Sequence, residues 1–143
     1  MSGRCYFQGQ TGLISDFYLP INDLSVLRGY GIFDYLRTYN GKPFLLDEHI
    51  DRFFHSASLL GLEIKENRAQ IKDAIYKLLS ESGLQEAGFR LVVTGGASPD
   101  AFSYTSPNFF ILIEALPEYD NSIWVNGVKL MLHKYLRCMP EVK

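Results

Sequence analysis

A chain of 143 residues, 47% of them apolar and 21% charged, can bury one core and carry enough charge to stay dissolved. The formal net charge is only −2 and no lysine/arginine run forms a basic stripe, which excludes the electrostatic footprint of a nucleic-acid binder. No apolar run is long enough to cross a bilayer, and Met1–Cys5 lacks the charged and apolar segments of a secretory leader, so a cytoplasmic location is expected.

In chain order, Tyr6-Phe7 reads as a short strand. A glycine-bearing turn, Gln8 to Gly12, leads to a second run through Phe17-Tyr18-Leu19, and Pro20 with Asn22-Asp23 breaks the pattern. Ile32 to Tyr39 is rich in β-prone residues and ends at Asn40-Gly41, the pair that best supplies the positive φ angles of a type I′ hairpin turn. Pro43-Phe44-Leu45-Leu46 is the expected return strand, with proline at its start. Asp47 is the expected N-cap of a helix whose residues Ile50, Phe53, Phe54, Ala57 and Leu60 recur at helical spacing until Gly61. A second helix starts near Asn67, places Ile71, Ala74, Ile75, Leu78 and Leu79 on one face, and stops at Gly83. Three strand-like runs follow, Phe89–Thr94, Phe109–Ala115 and Val128–His133, with a loop through Gly95-Gly96 to Asp100 after the first. Strands, two helices, then strands imply an α+β domain with a mainly antiparallel sheet.

The residues alone carry few sharp chemical signals. Cys5 and Cys138 lie far apart without metal-ligand spacing, so two reduced, buried or half-buried thiols are expected and no metal site. His49 and His55 are six apart and cannot share a metal from one helix, and His133 stands alone. Asp34, Asp47 and Glu48 read as a strand's polar face and a helix's first turn. Phe33 and Tyr35 share a face at period two, which suits a ligand pocket and a packed hairpin equally well.

Four blocks in collinear order carry more. Asp23-Leu24-Ser25-Val26-Leu27-Arg28-Gly29-Tyr30-Gly31-Ile32-Phe33-Asp34 follows the pattern D-x-x-x-x-R-G-x-G-x-F-[ED]. Glu48-His49-Ile50-Asp51-Arg52-Phe53 follows E-H-[ILM]-x-R-[LF]; Arg90 to Gly96 and Tyr135 to Lys143 complete the set. Together these resemble the N-terminal half of the class IV (fold-type-IV) aminotransferases, which include branched-chain and D-amino-acid aminotransferases and aminodeoxychorismate lyase. The resemblance implies that residues 1–143 form the small N-terminal domain, ending at the lysine that carries the cofactor, with a C-terminal domain beyond the given chain.

The resemblance also implies roles. Arg52 matches the arginine that binds the phosphate of pyridoxal 5′-phosphate, a task suited to a guanidinium fork. Lys143 matches the lysine that holds the cofactor covalently and moves a proton once displaced. Phe33, Tyr35 and Arg37 match the hairpin face turned to substrate, and Gly95 and Gly96 match a loop whose N–H groups approach a carboxylate. D-amino-acid aminotransferases carry an arginine and a histidine in the loop matching Ser98 to Phe102, where this chain has Asp100 and Phe102, so a branched-chain-like L-amino acid is the expected donor. Transamination between an amino acid and a 2-oxo acid by a homodimer is the implied activity. A lyase on the same scaffold and a non-enzymatic binding domain are the alternatives.

Overall fold

Two tight hairpins frame the sheet, each closed by two residues that tolerate positive φ. The computed structural model describes residues 3–143; Met1 and Ser2, the first two residues of the segment expected not to be a secretory leader, lie outside them. Strand β1 (Arg4–Phe7) turns through Gln8 and Gly9, at φ 45° and 92°, into β2 (Gln10–Leu13). Strand β3 (Gly31–Tyr39) turns through Asn40 and Gly41, at φ 51° and 68°, into the two-residue β4 (Lys42–Pro43), as the Asn-Gly pair predicts. Between the hairpins, Asp23 caps a short helix, α1 (Leu24–Arg28). The long helices α2 (Leu46–Leu59) and α3 (Arg68–Ser82) follow, then β5 (Ala87–Thr94), β6 (Asn108–Ala115) and the short α4 (Ser122–Asn126).

The six strands form one sheet in the order β2-β1-β6-β5-β3-β4, and every pairing is antiparallel. Register assigns the faces. Ile32, Asp34, Leu36 and Thr38 of β3 lie level with Val93, Leu91, Phe89 and Ala87 of β5 and so share one face. That face is covered by α2 and α3, and the core forms where Ile50, Phe53, Ala57, Ile71, Ile75 and Leu78 meet it. Phe33, Tyr35 and Arg37 lie on the opposite face with Arg90, Val92, Phe110 and Leu112. A two-layer α+β domain results, with the helices on one side of the sheet.

Helix α3 begins as its sequence implies. The Asn67 side chain accepts from the Gln70 N–H while the Gln70 side chain accepts from the Asn67 N–H, and Gly83 closes the helix at φ 70°. Helix α2 starts earlier than expected. Leu45, not Asp47, is its N-cap, and Asp47 and Glu48 occupy the first turn. Starting at Leu46 puts that buried leucine in one stripe with Ile50, Phe53 and Ala57, and the gain from burying it outweighs the better cap chemistry of aspartate. This shortens the expected return strand to Lys42–Pro43.

Three further expectations are corrected. Phe17-Tyr18-Leu19 is not a strand; β1 pairs with Gln10–Leu13, and Phe17 instead stacks on Phe7 at 5.6 Å between ring centroids. Val128–His133 forms no strand either; it pairs with no strand of the sheet, and its side chains are exposed. Cys138 is exposed rather than buried or half-buried; Cys5 is buried, its thiol pushed up by burial and then by Asp16. No helix among the described residues is long and apolar enough to cross a membrane.

Asp23 ties α1 to the sheet. Its fully buried carboxylate accepts from Ser25 N–H at 2.7 Å, Thr94 Oγ1 at 2.7 Å and Asn108 Nδ2 at 2.8 Å. Burial pushes this carboxyl up, but the hydrogen bonds outweigh it and hold the group below its ordinary value. A depressed folded-state pKa gives stability that is present above the unfolded value, about 3.9, and is lost as pH falls through the folded one. Asp23→Ala is therefore expected to lower unfolding free energy at pH 7 by about 3 kcal/mol in urea titrations. The variant should also show a shallower loss of stability than the parent between neutral pH and about pH 3.

Candidate functional site

One side of β3 is open: β4 pairs only with Thr38 and Tyr39, and β5 occupies the other side, so residues 31–36 form an unpaired edge. Polar groups from three parts of the chain meet along it. From β3, Asp34 faces the helices and is fully buried, against the expectation that it belongs to the strand's polar face. From α2, Arg52 meets it side-on, with Nε donating to Oδ2 and Nη2 to Oδ1, both at 2.7 Å. His49, one turn earlier, has Nδ1 2.8 Å from Asp34 Oδ1, and the Tyr35 N–H donates to the same oxygen at 2.7 Å. His49 Nδ1 also lies 3.0 Å from Arg52 Nη2, so the three side chains form one cluster around the buried carboxylate.

The electrostatics follow from those contacts. Burial drives the Asp34 carboxyl upward, but the hydrogen bonds and charges of Arg52 and His49 outweigh it and hold the group below its ordinary value. The Arg52 guanidinium is held above its ordinary value, first by its hydrogen bonds to Asp34. Arg52 thus stays a cation. Its Nη1 has no hydrogen bond among the described residues, and its side chain is 46% exposed.

The third contribution comes from the last residues. Val142 is buried at the margin of the core, the Lys143 N–H donates to Ser56 Oγ at 3.1 Å, and Arg137 Nη2 donates to the Val142 carbonyl at 2.7 Å. Ser56 is fully buried and lies one helical turn beyond Arg52 on α2. Lys143 reaches past the β3 edge, with Nζ 5.9 Å from the centroid of the Phe33 ring on the outer face. Arg52 and the backbone of Lys143 are thus held one helical turn apart along α2.

The other expected site residues divide. Phe33, Tyr35 and Arg37 do share the outer face. Phe33 sits under Lys143 Nζ, and the Arg90 guanidinium lies 5.5 Å from Phe33 and 5.4 Å from Tyr35. Arg37 turns away toward the hairpin tip, stacking on Tyr39 at 4.3 Å while Nε donates to the Thr38 carbonyl. The Gly95 N–H donates to the Tyr30 carbonyl and the Gly96 N–H to Thr94 Oγ1, so neither is free for a carboxylate. Both glycines have a packing reason: a Cβ on Gly95 would run into Tyr30 and Leu24, and one on Gly96, at φ 80°, into the Ser106 carbonyl.

Asp34, His49, Ser56 and Arg90 are the residues the sequence reading did not assign to the site. Asp34 was detectable from parity, since Ile32 and Leu36 at two-residue spacing mark its face as the buried one. His49, Arg52 and Ser56 at spacings of three and four lie along one helix face. Arg90 opens the block Arg90 to Gly96 of the resemblance, but its place beside Tyr35 needs the strand pairing.

The donor set fits pyridoxal 5′-phosphate. A fixed cation with an unbonded Nη1 suits the phosphate dianion, and Lys143, whose amide is held one helical turn further along α2, carries a primary amine.

Comparison with known proteins identifies the family. The family model for amino-transferase class IV matches residues 31–140. The chain belongs to the class IV aminotransferase family. It is 28% identical over 141 residues to D-alanine aminotransferase of Staphylococcus aureus strain N315, covering 94% of this chain and 50% of that protein. It is 31% identical over 117 residues to a putative branched-chain-amino-acid aminotransferase of Methanocaldococcus jannaschii, covering 80% of this chain and 41% of that protein. Among solved structures, the T.th. branched-chain amino acid aminotransferase with pyridoxamine 5′-phosphate superposes with a TM-score of 0.74 at 19% identity, over 83% of this chain and 41% of that one. The enzyme of the same name from Escherichia coli superposes at 0.76 with 17% identity, again over 83% and 41%. The chain thus spans half or less of the length of these proteins, and the fold is theirs.

Ser56 and Lys143 give a direct test of how the terminal segment is held. Ser56→Ala removes one buried hydrogen bond and should cost no more than about 1 kcal/mol of stability. Hydrogen exchange at the Lys143 amide should become about fivefold faster, with exchange in β5 and β6 unchanged.

Proposed function

We propose that this chain is the N-terminal portion of a pyridoxal-phosphate-dependent aminotransferase, moving an amino group between an amino acid and a 2-oxo acid, with a branched-chain-like L-amino acid favoured as donor. The observation that carries the reading is the convergence of Arg52 and Lys143 on one helix face, Arg52 as part of α2 and Lys143 through its amide on Ser56. Arg52 would bind the cofactor phosphate through the guanidinium atoms that Asp34 leaves open. Pyridoxal phosphate, when bound, supplies an electron sink for charge developing at the amino acid's Cα. Lys143 Nζ would be the attachment point and, when free, the base that takes the proton from the amino acid's Cα. Phe33 and Tyr35 line the outer face of β3, with Phe33 beside the lysine amine.

The loop after β5 supports an L-amino acid. The Asp100 carboxylate accepts from Ser103 Oγ and from Ser98 Oγ, Phe102 N–H and Ser103 N–H, and the Ser103 contacts above all hold it well below the usual carboxylate range. A permanently anionic group in this loop opposes a substrate carboxylate there. Several similar proteins are D-alanine aminotransferases, so donor stereochemistry is a direct test of this point. The same reading carries a homodimeric, cytoplasmic enzyme, and sedimentation of the natural-length protein at twice the monomer mass supports the dimer.

Borohydride reduction of the natural-length protein loaded with pyridoxal phosphate, then peptide mapping, should find a phosphopyridoxyl group on Lys143. An unmodified Lys143 overturns the reading. Lys143→Ala should lower turnover by about 10³-fold or more. Turnover of L-leucine or L-valine should require a 2-oxo-acid acceptor; product formation without one makes the enzyme a lyase, and a preference for D-alanine reverses the stereochemical assignment.

A further inference from the structure

A guanidinium has two edges that can each grip an oxyanion, one formed by Nε and one terminal nitrogen, the other by the two terminal nitrogens. In Arg52 the first edge is taken by Asp34, with both contacts at 2.7 Å. Nη2 also lies 3.0 Å from His49 Nδ1, whereas Nη1 makes no hydrogen bond among the described residues, so the terminal edge is left open to a ligand at Nη1. Asp34 cannot swing to follow the arginine. It is fully buried on the core face of β3, and Oδ1 also accepts from the Tyr35 N–H and lies 2.8 Å from His49 Nδ1. A half-exposed arginine side chain, otherwise free to sample many rotamers, is thereby fixed in direction by a carboxylate that is itself fixed by strand and helix.

We propose that Asp34 is a positioning residue for phosphate binding: it holds the side edge of the Arg52 guanidinium so that the terminal edge is presented to the phosphate of pyridoxal 5′-phosphate. This rests on the cofactor reading above. Asp34 touches neither cofactor nor substrate in this role; it acts through Arg52 and lowers the entropic cost of ordering that side chain when phosphate binds. His49 completes the clamp by holding the Asp34 oxygen that Arg52 Nη2 shares.

The test compares two probes that differ only in the phosphate. Dissociation constants for pyridoxal 5′-phosphate and for unphosphorylated pyridoxal are measured on the natural-length parent, Asp34→Asn, Arg52→Ala and the double variant. Asp34→Asn should weaken pyridoxal phosphate about tenfold while leaving pyridoxal unchanged, and should add nothing once Arg52 is already alanine. Equal weakening of both probes, no weakening of either, or additive effects in the double variant would each overturn the proposal. If Asp34→Asn does not fold, the ratio of the two constants is read on Asp34→Glu, which keeps the charge but displaces the fork, with the same outcomes deciding. A parent that binds pyridoxal phosphate no better than pyridoxal removes the phosphate site and this inference with it. A parent that separates the two probes while the Asp34 variants do not shift the ratio overturns the inference alone.

Discussion

A carboxylate taken out of water must be matched by donors, and Asp34 makes that demand on the face of β3 that otherwise builds the core. Its neighbours two residues either way, Ile32 and Leu36, are buried apolar side chains, so the strand cannot rotate to release it without exposing them. The demand is met by Arg52 and His49 of α2 and by the backbone of the unpaired strand edge. This sets which turn of α2 lies over β3, and with it the position of Ser56 one turn further along. The final residues then have a fixed place to dock.

Asp23 does comparable work at the other end of the motif that runs from Asp23 to Asp34. It joins α1, the end of β5 and the start of β6 through three donors. The loop beyond β5 is sewn to the same segment, since Ser98 N–H donates to the Asn22 carbonyl and Leu24 N–H to the Gly96 carbonyl. Gly95 and Gly96 therefore serve the packing of this junction, with their own amides already bonded. Two buried aspartates separated by a short helix thus fix the two flanks of β3.

Features set by near neighbours were legible in the sequence. The Asn40-Gly41 turn, the Asn67–Gln70 cap, the glycine stop at Gly83 and the apolar stripes of α2 and α3 each depend on residues within a few positions of one another. What failed depends on distant partners. Val128–His133 has strand-like composition but no ladder to join, and Leu45 became a cap only because Leu46 is claimed by the core. Helix α1 is five residues long, too short for a period to declare itself. Within the site, the resemblance singled out Arg52 and Lys143, but it could not show that Asp34 grips the arginine or that Ser56 receives the lysine's amide.

The edge of a sheet is an exacting place for such a site, and here the reason is geometric. Arg52 and Ser56 are on the helix side of the sheet, whereas Phe33, Tyr35 and Arg90 are on the other. A group that must meet both sets has to pass around a strand, and residues 31–36 of β3 are unpaired on the side away from β5. Lys143 does this by placing its amide on Ser56 and its amine beside Phe33. An exposed strand edge ordinarily invites another chain to pair with it. In this fold a side-chain carboxylate takes up the Tyr35 amide and the terminal segment passes close by, so the same edge is kept from pairing and is available for chemistry.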